Sequence, residues 1–302
     1  MLLSKELPKM GIDCKFYNEK PFSSLGLAGY NDGEDVCTFL ASSKYNADLS
    51  DGISMIIMSK KIYDELSAQG LDESFGICIV DDPRLVYFLL HNALCTKIEY
   101  VRERFPSSIA RTAKVNSLAY IASENVIIGE NTVIEEFVSI KENTVIGNDC
   151  VIRAGTKIGG SGFEIKNDGD KSITVTHIGG VIIGNNVEIQ QNSNVDKAIY
   201  PWDDTVIGDH VRINSLVQIA HGDKIGRFTE IVAGASIQGR VQIGENVWIG
   251  PNSVVRNGVS IGDNARVNMG SVVTLSIPAG VAVSGNFARN HKKMIEEMRK
   301  FK

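Results

Sequence analysis

Two residues eighteen positions apart, His221 and Gly239, carry the sharpest chemical signal in this 302-residue chain. Histidine's ordinary pKa of about 6.5 leaves an imidazole mostly neutral at pH 7, able to take a proton from an attacking nucleophile. A glycine beside it leaves a backbone N–H open to close approach, and an amide donor aimed at a developing oxyanion is the second requirement of acyl transfer. The chain has five histidines, at positions 91, 177, 210, 221 and 291. Of these, His221 follows Gln218, Ile219 and Ala220 at a site where other repeats hold small or polar residues. An outward histidine alone is most often a solvated side chain. The pairing with Gly239 matters only if the intervening elements bring positions eighteen apart together.

A solenoid would do so. From Ile207 to Val273 an aliphatic residue falls at every sixth position, through Ile213, Ile219, Ile225, Ile231, Ile237, Ile243, Ile249, Val255, Ile261 and Val267. Neither an α-helix, repeating near 3.6, nor a half-buried strand, repeating at 2, gives a strict six over this length. A parallel β-helix of hexapeptides does, and three hexads then make one coil. The period also runs from Ile128 to Ile158 and from Ile183 to Val195. Glycine often follows the aliphatic residue, as at Gly129, Gly147, Gly226 and Gly244, which suits corners of unusual φ or close packing. Two interruptions, about 163–182 and 200–204, predict loops that leave the stack, either as binding elements or as tolerated insertions. The first is polar and Gly-rich, and the second carries Pro201 and Trp202.

An open solenoid end exposes apolar core, so the flanks are expected to differ. Residues 1–105 lack the period and predict a small α/β domain, a separate unit from the repeats. Its elements are a strand at Ile53 to Met58, a helix at Lys60 to Gln69, a strand at Phe75 to Val80, and a helix capped by Asp82 with Pro83 in its first turn. Residues 106–283 form the repeat domain, a mainly β, left-handed parallel β-helix, and 284–302 a short basic helical segment. At 43% hydrophobic content the chain can bury a real core, and a net charge of -5 argues against nucleic acid as the main partner. No signal peptide or apolar run of membrane length is seen, and five scattered cysteines without a C-x-x-C pair predict a reducing, cytoplasmic setting.

Several stretches resemble the UDP-3-O-acylglucosamine N-acyltransferases of lipid A synthesis. They run from His177 through Ile-Gly-Gly-Val-Ile-Ile-Gly to Ile189, Asp204 to Gly208, Val217 to His221, Gly160 to Phe163, and Thr38 to Tyr45. The resemblance implies a divergent nucleotide-amino-sugar N-acyltransferase. His221 would be the general base and Gly239 the oxyanion donor, while Phe39 and Tyr45 hold a uracil ring by stacking. Ser42, Phe163, Asp196, Asn214 and Gln218 fall on the acceptor side. The resemblance also implies a homotrimer with active sites between neighbouring prisms. Neither a bound cofactor nor a metal is expected, the acyl thioester being a co-substrate.

Departures from the pattern bear on the donor. A family histidine that contacts the long hydroxyacyl chain falls on Gly258, Asn214-Ser215 stands for Asp-Asn, and Ser42-Ser43 for Asn-Pro. The C-terminal extension that receives acyl carrier protein is reduced to one short helix. The run from Val283 to Arg289 is similar to the ending of hexapeptide transferases that use acyl-coenzyme A, so Gly258, Asn286, Arg289 and Lys292 are candidate donor contacts. The expected reaction is acyl transfer from a thioester, preferably acyl-coenzyme A, to the amine of a UDP- or dTDP-linked amino sugar for a cell-surface glycan such as lipopolysaccharide or O-antigen. The alternative is the lipid A enzyme with an acyl carrier protein donor. A metal-dependent hydratase would need His177, His210 and His221 on an eighteen-residue ladder, which they do not form. A non-catalytic scaffold would not need His221 and Gly239 together.

Overall fold

A computed structural model describes residues 1–29, 34–71, 74–169, 171–285, 288 and 291–299. It divides the chain into two compact units. One comprises 1–103, 163–178 and 199–202, the other 104–162, 179–198 and 203–302.

The first unit is built on a five-stranded sheet. Its strands lie in the order Lys15–Tyr17, Gly76–Ile79, Ile53–Met58, Val36–Leu40, Ser24–Leu25, with only the first antiparallel to its neighbour. Ile53–Met58 is buried along its whole length, as a near-continuous apolar run in a parallel sheet requires. Helices Lys60–Ala68 and Pro83–Leu94 start where their caps predict. Ser59 Oγ accepts the Ile62 N–H, and Asp82 Oδ1 accepts the Leu85 N–H at 2.9 Å.

The two solenoid interruptions belong to this unit's core. Ile165–Asp168 and Lys171–Thr174 pair as an antiparallel hairpin. Behind it Val175, Ile199 and Tyr200 are buried among Leu25, Cys37, Tyr87 and Leu90. Trp202 stacks on Tyr200 with ring centres 5.3 Å apart and donates to the Leu25 carbonyl at 2.6 Å. Asn92 brackets the hairpin strand, donating to the Thr174 carbonyl and accepting the Thr176 N–H, each at 2.9 Å. His91, fully buried, lies 2.8 Å from both Tyr100 Oη and the Thr176 carbonyl. The carbonyl can only accept, so Nε2 carries the proton. Burial pushes the His91 pKa down to about 4 and keeps the ring neutral. These segments are therefore structural parts of the first unit, their apolar residues replacing contacts that a free loop would leave in water.

In the second unit three parallel sheets of nine, eight and eight short strands are wound into a prism. The register steps by eighteen residues: Ile213 pairs with Ile231, Ile219 with Ile237, and Ile225 with Ile243. The inward aliphatics stack into one continuous column from Val126 to Ile277. Coiling begins before the hexads at 128, with Ser108–Ile109, Lys114–Val115 and Tyr120–Ile121 paired to the following coil. Gly129, Gly147, Gly226 and Gly244 serve close packing, none having a left-handed φ. A Cβ at Gly147 would lie 2.6 Å from the Gly184 carbonyl oxygen, and one at Gly226 2.5 Å from the backbone of Gly244. Many left-handed corners are filled by asparagine, among them Asn131, Asn186, Asn246 and Asn264. Asparagine tolerates φ near +55° and can bond locally. Helix His291–Arg299 follows the last strand, Ala282–Val283. All five cysteines are free thiols, and no helix among the described residues is long and apolar enough to cross a membrane.

Candidate active site

His221 occupies the corner after strand Gln218–Ile219, and Gly239 the corner after Ser236–Ile237 on the next coil. The imidazole lies on the glycine. A Cβ at position 239 would stand 2.6 Å from His221 Cε1 and 2.7 Å from Nε2. Only a residue without a side chain permits that approach. The two corners are also tied by backbone, the Arg240 N–H donating to the His221 carbonyl at 3.0 Å. The Gly239 carbonyl accepts the Gly258 N–H at 3.1 Å, while its own N–H makes no hydrogen bond among the described residues. His221 is half-buried, so its ring combines a packed orientation with access from one side. A base and an amide donor thus share one corner, the arrangement that proton removal from an amine and stabilisation of a thioester oxyanion require.

Two acceptor-side residues join this site. Asp196 precedes the coil of His221, and the register of Val195 with Ile219 sets it beside Ala220. Burial pushes its carboxyl up to about 6, although Gln218 Nε2 donates to Oδ2 at 2.7 Å and pulls the other way. Asn214 follows strand Arg212–Ile213 on a different sheet from Gln218. Its Oδ1 accepts the N–H of Ser215 at 2.7 Å, so it shapes its own corner. Gly258 is exposed and left-handed at φ +72°, and no atom lies within 4 Å of where its Cβ would be.

Four candidates stand in the first unit. Phe39 is half-buried in strand Val36–Leu40, its ring centre 4.8 Å from Tyr87 and 6.2 Å from Phe88. Tyr45 is exposed in the 3₁₀ turn Ser43–Asp48, with the Lys44 ammonium 4.8 Å from its ring centre. Ser42 precedes that turn without capping it. Phe163, 88% exposed, opens the excursion. Of the donor-side candidates, Asn286 and Arg289 lie outside the described residues, and Lys292 is exposed on the C-terminal helix.

The other histidines are placed elsewhere. His210 stacks on Phe228 at 4.7 Å in another corner, and buried His177 faces the Val175 carbonyl from Nδ1 at 3.0 Å. Asp223, which is not among the sequence candidates, is fully buried two residues after His221. Its detectable signal is a charge at a hexad position that otherwise holds only small or β-branched residues.

Residues 125–160 and 240–274 match the family described as bacterial transferase hexapeptide (six repeats). Those two stretches carry the hexapeptide repeat. Over 97 residues it is 43% identical to a UDP-3-O-acylglucosamine N-acyltransferase 2 of Legionella pneumophila (strain Lens), covering 32% of this chain and 28% of that protein. Over 96 residues it is 47% identical to the UDP-3-O-acylglucosamine N-acyltransferase of Rickettsia akari (strain Hartford), with 32% and 27% covered. The matched part thus spans little more than a quarter of these relatives, and the resemblance seen in the motifs is borne out at that level. Two solved structures share the fold. The UDP-N-acetylglucosamine acyltransferase of Francisella novicida superposes with a TM-score of 0.50 at 23% identity, over 63% of this chain and 73% of that one. Its counterpart from Campylobacter jejuni gives 0.51 at 20%, over 65% and 81%. The hexapeptide-repeat unit is accordingly a left-handed parallel β-helix.

Proposed function

We propose that this chain is an N-acyltransferase that moves an acyl group from a thioester to the amine of a uridine-nucleotide amino sugar, with His221 and Gly239 as the reacting corner. The carrying observation is the imidazole lying on a glycine whose N–H is free of other bonds among the described residues. His221 takes the proton of the amine as its nitrogen attacks the thioester carbonyl carbon. The carbonyl oxygen becomes an oxyanion facing the Gly239 N–H. The C–S bond then breaks, and the proton held by His221 passes to the departing thiolate, so no covalent enzyme intermediate forms. A homotrimer with the site between prisms, and residence in the cytoplasm, belong to the same reading.

The relatives' names favour a 3-O-acylated glucosamine as acceptor, hence the lipid A type of reaction, over an unspecified amino sugar. A second reading, with a short acyl-coenzyme A as donor, is supported by Gly258, which puts an open left-handed glycine where the resembled family has a chain-contacting histidine. Side-by-side kinetics with a 3-hydroxyacyl carrier protein and a short acyl-coenzyme A on UDP-3-O-acylglucosamine separate them. The first reading expects higher kcat/KM with the carrier protein, and strong preference for coenzyme A on another amino sugar would replace it with the second.

The nucleotide base is assigned to Phe39 and Tyr45. Stacking on an aromatic ring is worth about 1 to 3 kcal/mol by truncation. Because Phe39 also packs against Tyr87, Tyr45→Ala is the cleaner variant. It should raise KM for the nucleotide sugar by roughly tenfold, with kcat changed little. Unchanged nucleotide affinity in folded Tyr45→Ala removes this role.

A further inference from the structure

Two residues before each inward aliphatic, the solenoid places a small or β-branched side chain in the wall. In the coils around the site these are Thr205, Val211, Val217, Thr229, Ala235 and Val241. At this position Asp223 stands alone as an acid. It is fully buried, and burial pushes its carboxyl well above the usual carboxylate range, with the Val241 and Ala220 N–H groups pulling the other way. A buried acid at such a site carries a desolvation cost that its neighbours avoid.

The threonines show what the wall ordinarily needs there. Thr229 Oγ1 donates to the Gly244 carbonyl at 2.9 Å and accepts the Val247 N–H, eighteen residues on, at 3.1 Å. Thr132 makes the same two bonds to the Gly147 carbonyl and the Cys150 N–H. Asp223 keeps the eighteen-residue bond, Oδ1 accepting the Val241 N–H at 2.8 Å. Its second bond runs backward instead. Oδ2 accepts the Ala220 N–H at 3.1 Å, which also faces the Ile237 carbonyl at 3.1 Å. Ala220 directly precedes His221, and Val241 stands two residues after Gly239. One carboxylate therefore ties the backbone of both corners on which the imidazole and its glycine depend. Threonine would satisfy Val241 equally well, so the acid adds only the hold on the histidine corner. Local rules broken without a stabilising return are the mark of a functional site.

We propose that Asp223 is a positioning residue, holding the His221 imidazole against Gly239 by accepting the Ala220 and Val241 N–H groups from successive coils. This rests on His221 and Gly239 being the reacting pair, so His221→Ala is assayed alongside. The test compares kcat, KM and melting temperature of Asp223→Thr and Asp223→Asn with the wild-type full chain, using thiol release from the acyl thioester. Asp223→Thr keeps the acceptor for Val241 and releases Ala220. Its melting temperature should equal or exceed the wild type, while kcat falls about tenfold or more and both KM values stay within about threefold, since displacement of a reacting group by about 1 Å is costly to chemistry. Asp223→Asn, with one acceptor replaced by a donor, should show the same kcat loss whether or not the threonine variant folds. Wild-type kcat in either folded variant, with His221→Ala inactive, overturns the positioning role and leaves the catalytic pair standing. A lowered melting temperature with unchanged kcat assigns Asp223 to stability alone and also overturns it. Full activity in His221→Ala removes the catalytic pair and the proposal with it.

Discussion

His221→Ala is expected to lower turnover by roughly a hundredfold or more while leaving the prism folded, the usual contribution of a positioned general base. The imidazole is half-buried in a corner and is not part of the stacked aliphatic column. Its removal opens no core cavity, and the melting temperature should change little. The loss should appear in kcat with both substrates saturating, because the proton is taken during attack and not on binding. Near wild-type kcat in the folded variant would remove the assigned base.

Gly239→Ala should be nearly as damaging to chemistry and almost silent in stability. Its φ lies outside the left-handed region, so alanine fits the backbone. The new methyl would stand 2.6 Å from His221 Cε1, and the ring must swing away. Swinging a side chain on a half-exposed corner costs within about 1 kcal/mol of fold stability. A base displaced by about 1 Å costs on the order of a hundredfold in rate. Gly239→Val should be worse, its branches also covering the N–H. Kinetics of the pair against His221→Ala would check this, and the double variant should lose little beyond either single one, since the two residues act as a unit. Additive losses would show that Gly239 matters for another reason.

The repeat unit was legible because a strict period of six leaves one architecture, and the His221–Gly239 contact followed from its eighteen-residue step. What escaped the sequence was decided by contacts remote along the chain. Ile121 and Ile128 are seven positions apart instead of six, hiding the first coils, and Ile109 and Val115 are exposed, so their pattern is weak. The polar tip at Asn167 and Asp168 read as a projecting loop, whereas Val175, Ile199 and Tyr200, equally visible, are buried with Tyr87 and Leu90 in the first unit. Phe39 carries a motif reading and a packing role at once, and only its distance to Tyr87 reveals the second. Asp223 carries one mark in the sequence, an acid at the hexad position that small or β-branched residues hold elsewhere, but its burial and its bonds to two corners come only from the fold.

The most direct measurement of the central claim is paired detection of free thiol and N-acylated product when purified chain is given an acyl thioester and a UDP-linked amino sugar with a free amine. One thiol should appear per amide formed, with no burst of thiol before the acceptor is added, and both signals should collapse together in His221→Ala. Thiol release without amide formation, a burst without acceptor, or equal product from wild type and His221→Ala would contradict direct acyl transfer at the His221–Gly239 corner.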